Sequence, residues 1–345
     1  MGQGLRRTLL PHAISPEPPP AGARVRAYRG LSMGTTWSAR VAQPDAASHV
    51  SPRLSSDLQD GLQAQLDEVV AQMSHWDPDS SLGRFNRAPA GTWQVLPPAF
   101  FHVLAYALDV CRDSGGACDP CAGALVNLWG FGPVNRYDEP GFVAPTPEQA
   151  RAALPAARVL LDPVSRSALQ PGGVQLDLSA IAKGYGVDCL ARWLEEQGIR
   201  DYLVEVGGEL RGAGVKPDGQ PWWVALEGVD GAPDGEEGIV AALHGLAVAT
   251  SGDYRRYFLH DGRRHAHTID PRTGAPVDHG TASVTVVAAS CMACDAWSTA
   301  LTVLGPVDGL ALAERRGIAA RFVVRIADGF VEHLSSHMRT MLDLA

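Results

Sequence analysis

The sequence has no uninterrupted apolar run of about 18 residues, the length that a membrane-spanning helix needs, so no span is marked by hydrophobicity alone. A basic field is also missing. Twenty-nine Lys and Arg stand against 38 Asp and Glu, giving a formal net charge of −9, and no block of like charge interrupts the mixture. That balance argues against nucleic acid as a partner. Cysteine is scarce, with six in 345 residues, which argues against a disulfide framework in a chain long enough to bury a large core. The first of them is Cys111, so no early thiol can carry a lipid, and the start as far as Pro20 holds two arginines but no apolar stretch of signal-peptide length. The expected location is therefore the cytoplasm, or the periplasm if the true start differs.

What is present divides into a short proline-rich start and one long patterned region. Residues 1–23, with Pro11, Pro16, Pro18, Pro19 and Pro20, show no periodicity and are expected to form a flexible tail; 24–345 form one domain. Strands are expected at Val25–Tyr28 and Trp37–Val41 around the turn at Gly34. Leu58, Leu62, Leu66, Val69, Val70 and Met73 then recur at helical spacing. Further helices are expected from Pro98 to Cys111, from Thr146 to Leu154, and later at Ser179–Gln197, Met292–Leu304 and Val307–Arg316. Between these lie β-rich runs at Val159–Leu161, Val174–Leu178, Tyr202–Val206, Trp222–Leu226, Ile239–Leu243, Ala282–Val287, Arg321–Ile326 and Phe330–Leu334. Short strands closed by tight turns predict an α+β fold with mixed or antiparallel sheets covered by helices on one side.

Three stretches hold residues suited to chemistry. In Val174 to Asp188, a strand ending at Asp177 runs through Ser179 as an expected helix N-cap, a junction that offers free N–H groups and a positive dipole end to a diphosphate. Lys183 adds a point charge one turn in, and Gly184 and Gly186 permit close approach; an ordinary capped helix explains the same residues. In Ser290 to Ala300, Asp295, Ser298 and Thr299 fall at i, i+3 and i+4 and share a helix face. With a backbone carbonyl near Ala180 they form an oxygen set suited to Mg²⁺; a threonine bonded to its own helix beside a solvated aspartate is the alternative. In Arg264 to Gly274, His267 has the pKa range of a proton acceptor, though a single histidine also serves structure. Two glycine-bearing loops, Val206–Glu209 and Thr250–Tyr254, allow backbone to approach a ligand or form plain hairpins.

The order and wording of these blocks closely resemble the ApbE-like family of FAD:protein FMN transferases over about residues 28–305. The resemblance rests on Met33–Thr36, Met73–Pro78 with Ser81–Leu82 and Arg84–Asn86, Leu125–Pro133, Asp177–Asp188, Val204–Glu209, Ala249–Tyr254, His267–Gly274 and Ser290–Thr299. It implies a two-lobed single domain with FAD in the groove and magnesium against the diphosphate. Met33, Trp76, Ala117, Cys118, Asp119, Asp177, Lys183, His267 and Ile269 match family positions around FAD. The Ala180 carbonyl, Asp295, Ser298 and Thr299 match the metal position. By the same resemblance a Thr or Ser hydroxyl of a flavoprotein subunit of a redox complex attacks the FMN phosphorus and AMP leaves. His267 then takes the proton, with Asp253 as a rival, and Lys183 supports the charge.

Two further readings compete with this one. A protein that only binds or stores FAD needs the flavin-facing residues without turnover. A thiol-based metal or redox protein would use the two C-x-x-C pairs, Cys118 with Cys121 and Cys291 with Cys294, as ligands.

Overall fold

Alternation of apolar residues along the strands, with period two, lays down the frame. The computed structural model describes residues 7–11, 13–14, 17–44, 52–154, 157–229, 238–253, 256–260 and 262–342. Residues 1–6 of the expected tail, and Tyr254 of the second glycine loop, lie outside them. After β1 (Thr8–Leu9), the hairpin of β2 (Ala23–Ser32) and β3 (Thr35–Pro44) leads into helix α1 (Pro52–Met73) and α2 (Ser81–Asn86). Strand β4 (Thr92–Val95), α3 (Pro98–Asp113), α4 (Gly123–Leu128), α5 (Pro147–Ala152), β5 (Leu160–Asp162) and β6 (Ser167–Gln170) follow. Next come α6 (Ala182–Glu196), β7 (Tyr202–Val206), β8 (Glu209–Ala213), β9 (Trp222–Ala225), β10 (Val240–Leu243) and β11 (Leu246–Gly252). The short pairs β12 (Tyr257–His260) with β13 (Arg263–Ala266), and β14 (Ile269–Asp270) with β15 (Ala275–Pro276), precede β16 (Thr281–Ala288). Helix α7 (Cys291–Arg316), β17 (Ala319–Ile326), β18 (Gly329–Leu334) and α8 (Ser336–Met341) complete the chain.

Eight strands join as one antiparallel sheet in the order β18-β17-β16-β11-β8-β7-β3-β2. Tyr202, Val204 and Val206 of β7, with Ala247 and Ala249 of β11, point into the main core beneath α1, α3, α6 and α7. Leu203 and Val248, one residue out of phase, point to the opposite face. There they meet Trp222, Ile239, Met338 and Met341, so the middle of the sheet is covered on both faces rather than on one. The α+β class holds, with β1 and β10 forming a parallel pair beside the antiparallel ones.

Part of the expected tail belongs to this second layer. Thr8 and Leu9 pair with Val240 and Ala241, and Leu9 is fully buried. A β-branched Thr8 and an apolar Leu9 ahead of the prolines suffice for a short edge strand, because edge pairing needs donors from alternate residues only.

A second correction concerns Val174–Leu178, which is extended but not a ladder strand. Among the described residues its one β-bridge joins Gln175 to Ala122, and Leu176 instead exchanges hydrogen bonds with the Asn86 amide, accepting at 3.0 Å and donating at 2.7 Å. Nor is Ser179 the N-cap of α6, whose first residue is Ala182 and whose cap position is Ile181 without a side-chain bond. The Ser179 N–H and hydroxyl both go to Asp177 Oδ1, making a local turn that moves the cap from Ser179 on to Ile181.

Helices α6 and α7 cross closely enough to require glycine: a Cβ on Gly184 would lie 2.3 Å from the Cys291 carbonyl oxygen. Asp188 of α6 then caps α7, accepting from Cys291 N–H at 3.1 Å, Met292 N–H at 3.0 Å and Ser290 Oγ at 2.8 Å. Among the described residues α7 is the one helix long and apolar enough to cross a membrane, yet most of it is buried in the core, and it breaks at Gly305 (φ 76°) before Pro306.

Candidate functional site

A cavity of about 360 Å³ opens where the start of α6, α7, the β7–β8 and β11 ends and the loop before β14 converge. Lys183, one of two lysines in the chain, enters it from the first turn of α6. Its ammonium donates to Glu209 Oε1 and stands 4.0 Å from Asp295 Oδ1. Burial pulls its pKa down, but the two carboxylates outweigh that and leave it raised. Burial raises both carboxyls in turn, with Lys183 pulling each back. Asp295 Oδ2 accepts from the Gly184 N–H at 2.8 Å, which locks the two helices together and leaves Oδ1 toward Lys183.

Thr299, one turn beyond Asp295, lines the same cavity, as do Ser251 and Ala180. The Ser251 hydroxyl lies 3.0 Å from Thr299 Oγ1 and 2.8 Å from Ser298 Oγ. Ser298 itself is fully buried, donates back to the Asp295 carbonyl at 3.0 Å, and is absent from the cavity wall. Helical spacing put three oxygens on one face, and packing against β11 turned one of them away.

His267 also lines the cavity. Its N–H and its ring Nδ1 both meet the Arg256 carbonyl at 3.1 Å; a carbonyl only accepts, so Nδ1 carries the hydrogen and Nε2 keeps its lone pair. Burial holds its pKa down at about 4, so the ring is neutral at physiological pH. The rival acceptor, Asp253, points elsewhere: both its oxygens take Arg325 donors at 2.7 Å.

Ala117, Cys118, Asp119, Asp177 and Ile269 also line the cavity. The 117–119 turn follows Gly115 (φ 65°) and Gly116 (φ 87°) and is held by Arg158 on Asp119 Oδ2 at 2.8 Å and by Asp177 N–H on the Pro120 carbonyl at 2.8 Å. Trp76 lines a neighbouring hollow of about 270 Å³ with His75, Arg87 and Asn127, built on the same α4 and 175–177 segments. His75 Nδ1, 3.6 Å from Asp177 Oδ1, links the two hollows. Met33 is in neither wall; it packs near α6, where a Cβ on Gly186 would lie 2.9 Å from its Cε.

All six cysteines are unpaired thiols. Cys291 and Cys294 donate to the Val248 and Ala247 carbonyls, and burial raises the pKa of each, as it does for Cys118 and for Cys121, the latter to about 12. Such buried thiols are neutral and unreactive. Among the described residues no three His, Cys, Asp or Glu side chains gather to hold a metal. The oxygens of Asp295, Thr299, Ser251 and the Ala180 carbonyl are hard donors, few in number, and so fit a Mg²⁺ that takes its remaining ligands from phosphate and water.

Glu209 and Ser251 were visible in the sequence only as members of glycine loops, and Arg256 carried no signal at all. Among the described residues Glu209 Oε2 is buried without a hydrogen-bond partner.

Comparison with known proteins follows this geometry. The ApbE family profile matches residues 33–322. The FAD:protein FMN transferase of Vibrio cholerae is 39% identical over 319 residues, covering 91% of each chain. The apo crystal structure of the Pseudomonas stutzeri flavinyl transferase ApbE superposes with a TM-score of 0.82 at 38% identity, over 93% of this chain and 97% of that one. The ApbE protein of Thermotoga maritima gives 0.77 at 27% identity, over 92% and 99%.

Proposed function

The chain belongs to the ApbE family and is an FAD:protein FMN transferase, and from that premise we propose how its cavity performs the transfer. The FAD diphosphate lies against Lys183, whose ammonium stays charged because Asp295 and Glu209 flank it. Asp295, Thr299 and the Ala180 carbonyl would hold Mg²⁺, with Ser251 in the place first expected of Ser298. When bound, the ion neutralises charge on the phosphate oxygens as the bond to the leaving group lengthens.

A Thr or Ser hydroxyl of the acceptor flavoprotein attacks the phosphorus on the FMN side. The new O–P bond forms as the bond to AMP breaks, and the hydroxyl proton passes to His267 Nε2. A neutral ring with its hydrogen on Nδ1 is ready for that role, and the incoming phosphate charge raises its basicity from the low value of the free cavity. Ile269 and the 117–119 turn shape the wall around the flavin, with Asp177 beside them. Trp76 offers its ring in the adjoining hollow.

One observation carries this reading: a lysine held between two buried carboxylates shares a cavity with hydroxyl and carbonyl oxygens and a neutral histidine. FAD storage would need the flavin-facing wall but not that charged cluster. The test is to incubate the protein with FAD, Mg²⁺ and an acceptor domain bearing a flavinylation threonine, then weigh the acceptor intact. The expected result is a gain of one FMN, lost with EDTA and in Asp295→Ala. Transfer undiminished in Asp295→Ala, or with all divalent ions chelated, would refute the metal assignment.

A further inference from the structure

We propose that Glu209 is a positioning residue for the transfer: it holds the Lys183 ammonium toward the cavity and keeps it from closing onto Asp295. This rests on the role given to Lys183 above. Glu209 opens β8 directly after the turn at Gly207 (φ 61°) and Gly208 (φ 103°), in register with Val206 of β7, so a two-residue hairpin fixes where its side chain starts. That side chain is 6% exposed and forms part of the cavity wall.

The fold itself uses only half of the carboxylate. Oε1 receives Lys183, while Oε2 is buried with no side-chain or main-chain partner among the described residues, an arrangement that native interiors rarely keep for stability alone. Lysine is a point charge on four flexible carbons and goes to the nearest anion. Asp295 Oδ1, 4.0 Å from the ammonium, is that next anion, and it is the oxygen that Gly184 leaves for a cation. With Glu209 removed, the ammonium swings onto Asp295, and one contact disables two groups at once.

The experiment is a double-mutant cycle on transfer rate with FAD binding followed separately, by flavin fluorescence without divalent ion. Glu209→Ala should slow kcat by roughly 10- to 100-fold, the scale of a misplaced catalytic group, while the FAD Kd rises no further than it does in Lys183→Met. In the Lys183→Met background the same substitution should cost nothing more, because there is no ammonium left to hold. Full activity in Glu209→Ala, or losses that multiply in the double variant, would overturn the proposal. Glu209→Gln, of the same shape, carries the test if the alanine variant does not fold. A fully active Lys183→Met would instead overturn the role of Lys183, and the positioning role with it.

Discussion

Replacing Asp188 with alanine tests whether the α6–α7 junction is what holds the site together. Its carboxylate accepts four donors: Cys291 N–H, Met292 N–H, Ser290 Oγ and, at 2.8 Å, Arg211 Nη1. Removing it takes the acceptor from the first two N–H groups of α7 and leaves Ser290 Oγ on Ala293 N–H as the remaining cap, a loss of about 0.5–2 kcal/mol. Among the described residues it also leaves Arg211 with Glu195 as its ion-pair partner, 3.7 Å away and on the surface. Breaking a buried pair costs about 3–5 kcal/mol, less here because Arg211 is 24% exposed. The sum is about 3–5 kcal/mol. Unfolding entropy near 2.1 cal/mol/K per residue makes about 0.7 kcal/mol/K for 345 residues, so Tm should fall by about 4–7 °C. Scanning calorimetry at pH 7 measures it, with Asp188→Asn expected to fall between. A Tm within about 1 °C of the parent would refute the reasoning, since a capped junction cannot lose four accepted bonds at no cost.

Three further outcomes are expected. The folded-state pKa of His267, about 4, lies below its ordinary 6.5, so the unfolded chain binds that proton first. Its contribution to stability is complete above 6.5 and is lost as pH falls through 4, by up to about 3 kcal/mol; His267→Gln should lose less stability than the parent between pH 7 and 4.5 by thermal melts. Gly184→Ala should destabilise by about 3 kcal/mol or more and slow transfer, because its Cβ would meet the Cys291 carbonyl at 2.3 Å and Asp295 Cβ at 2.7 Å; a parental melting curve would contradict the close crossing. Asp253→Ala should transfer FMN within about twofold of the parental rate while His267→Ala is slow, and the reverse order would assign the proton to Asp253.

The framework of this fold was open to reading because its signals are local. The β-rich runs at Tyr202–Val206 and Ala282–Val287, bounded by turn residues, mark strands, and the observed β7 and β16 cover them. Gly305–Pro306 predicts the break between the two halves of α7, since Pro306 cannot supply the N–H and Gly305 takes a positive φ. Val174–Leu178 misled for the same reason that the others succeeded. Its composition is that of a strand, but its backbone partners are the side chain of Asn86 and the loop at Pro120, which composition does not reveal. The start of α6 was misplaced because Asp177 competes for Ser179 before the helix can use it.

What the residues alone determined is the α+β class, the order of the blocks, and the presence of Lys183, His267, Asp295 and Thr299 at spacings that place them on particular elements. Periodicity settles these matters because each depends on neighbours within a turn or two of chain. Only the tertiary structure decided which of the oxygens meet. Ser298 turned to Ser251 of β11, 47 residues away in sequence, Lys183 went to Glu209 at a separation of 26, and Asp295 went to Gly184 at 111. A buried polar atom takes whichever partner packing brings within reach, and that choice is made between elements rather than along them.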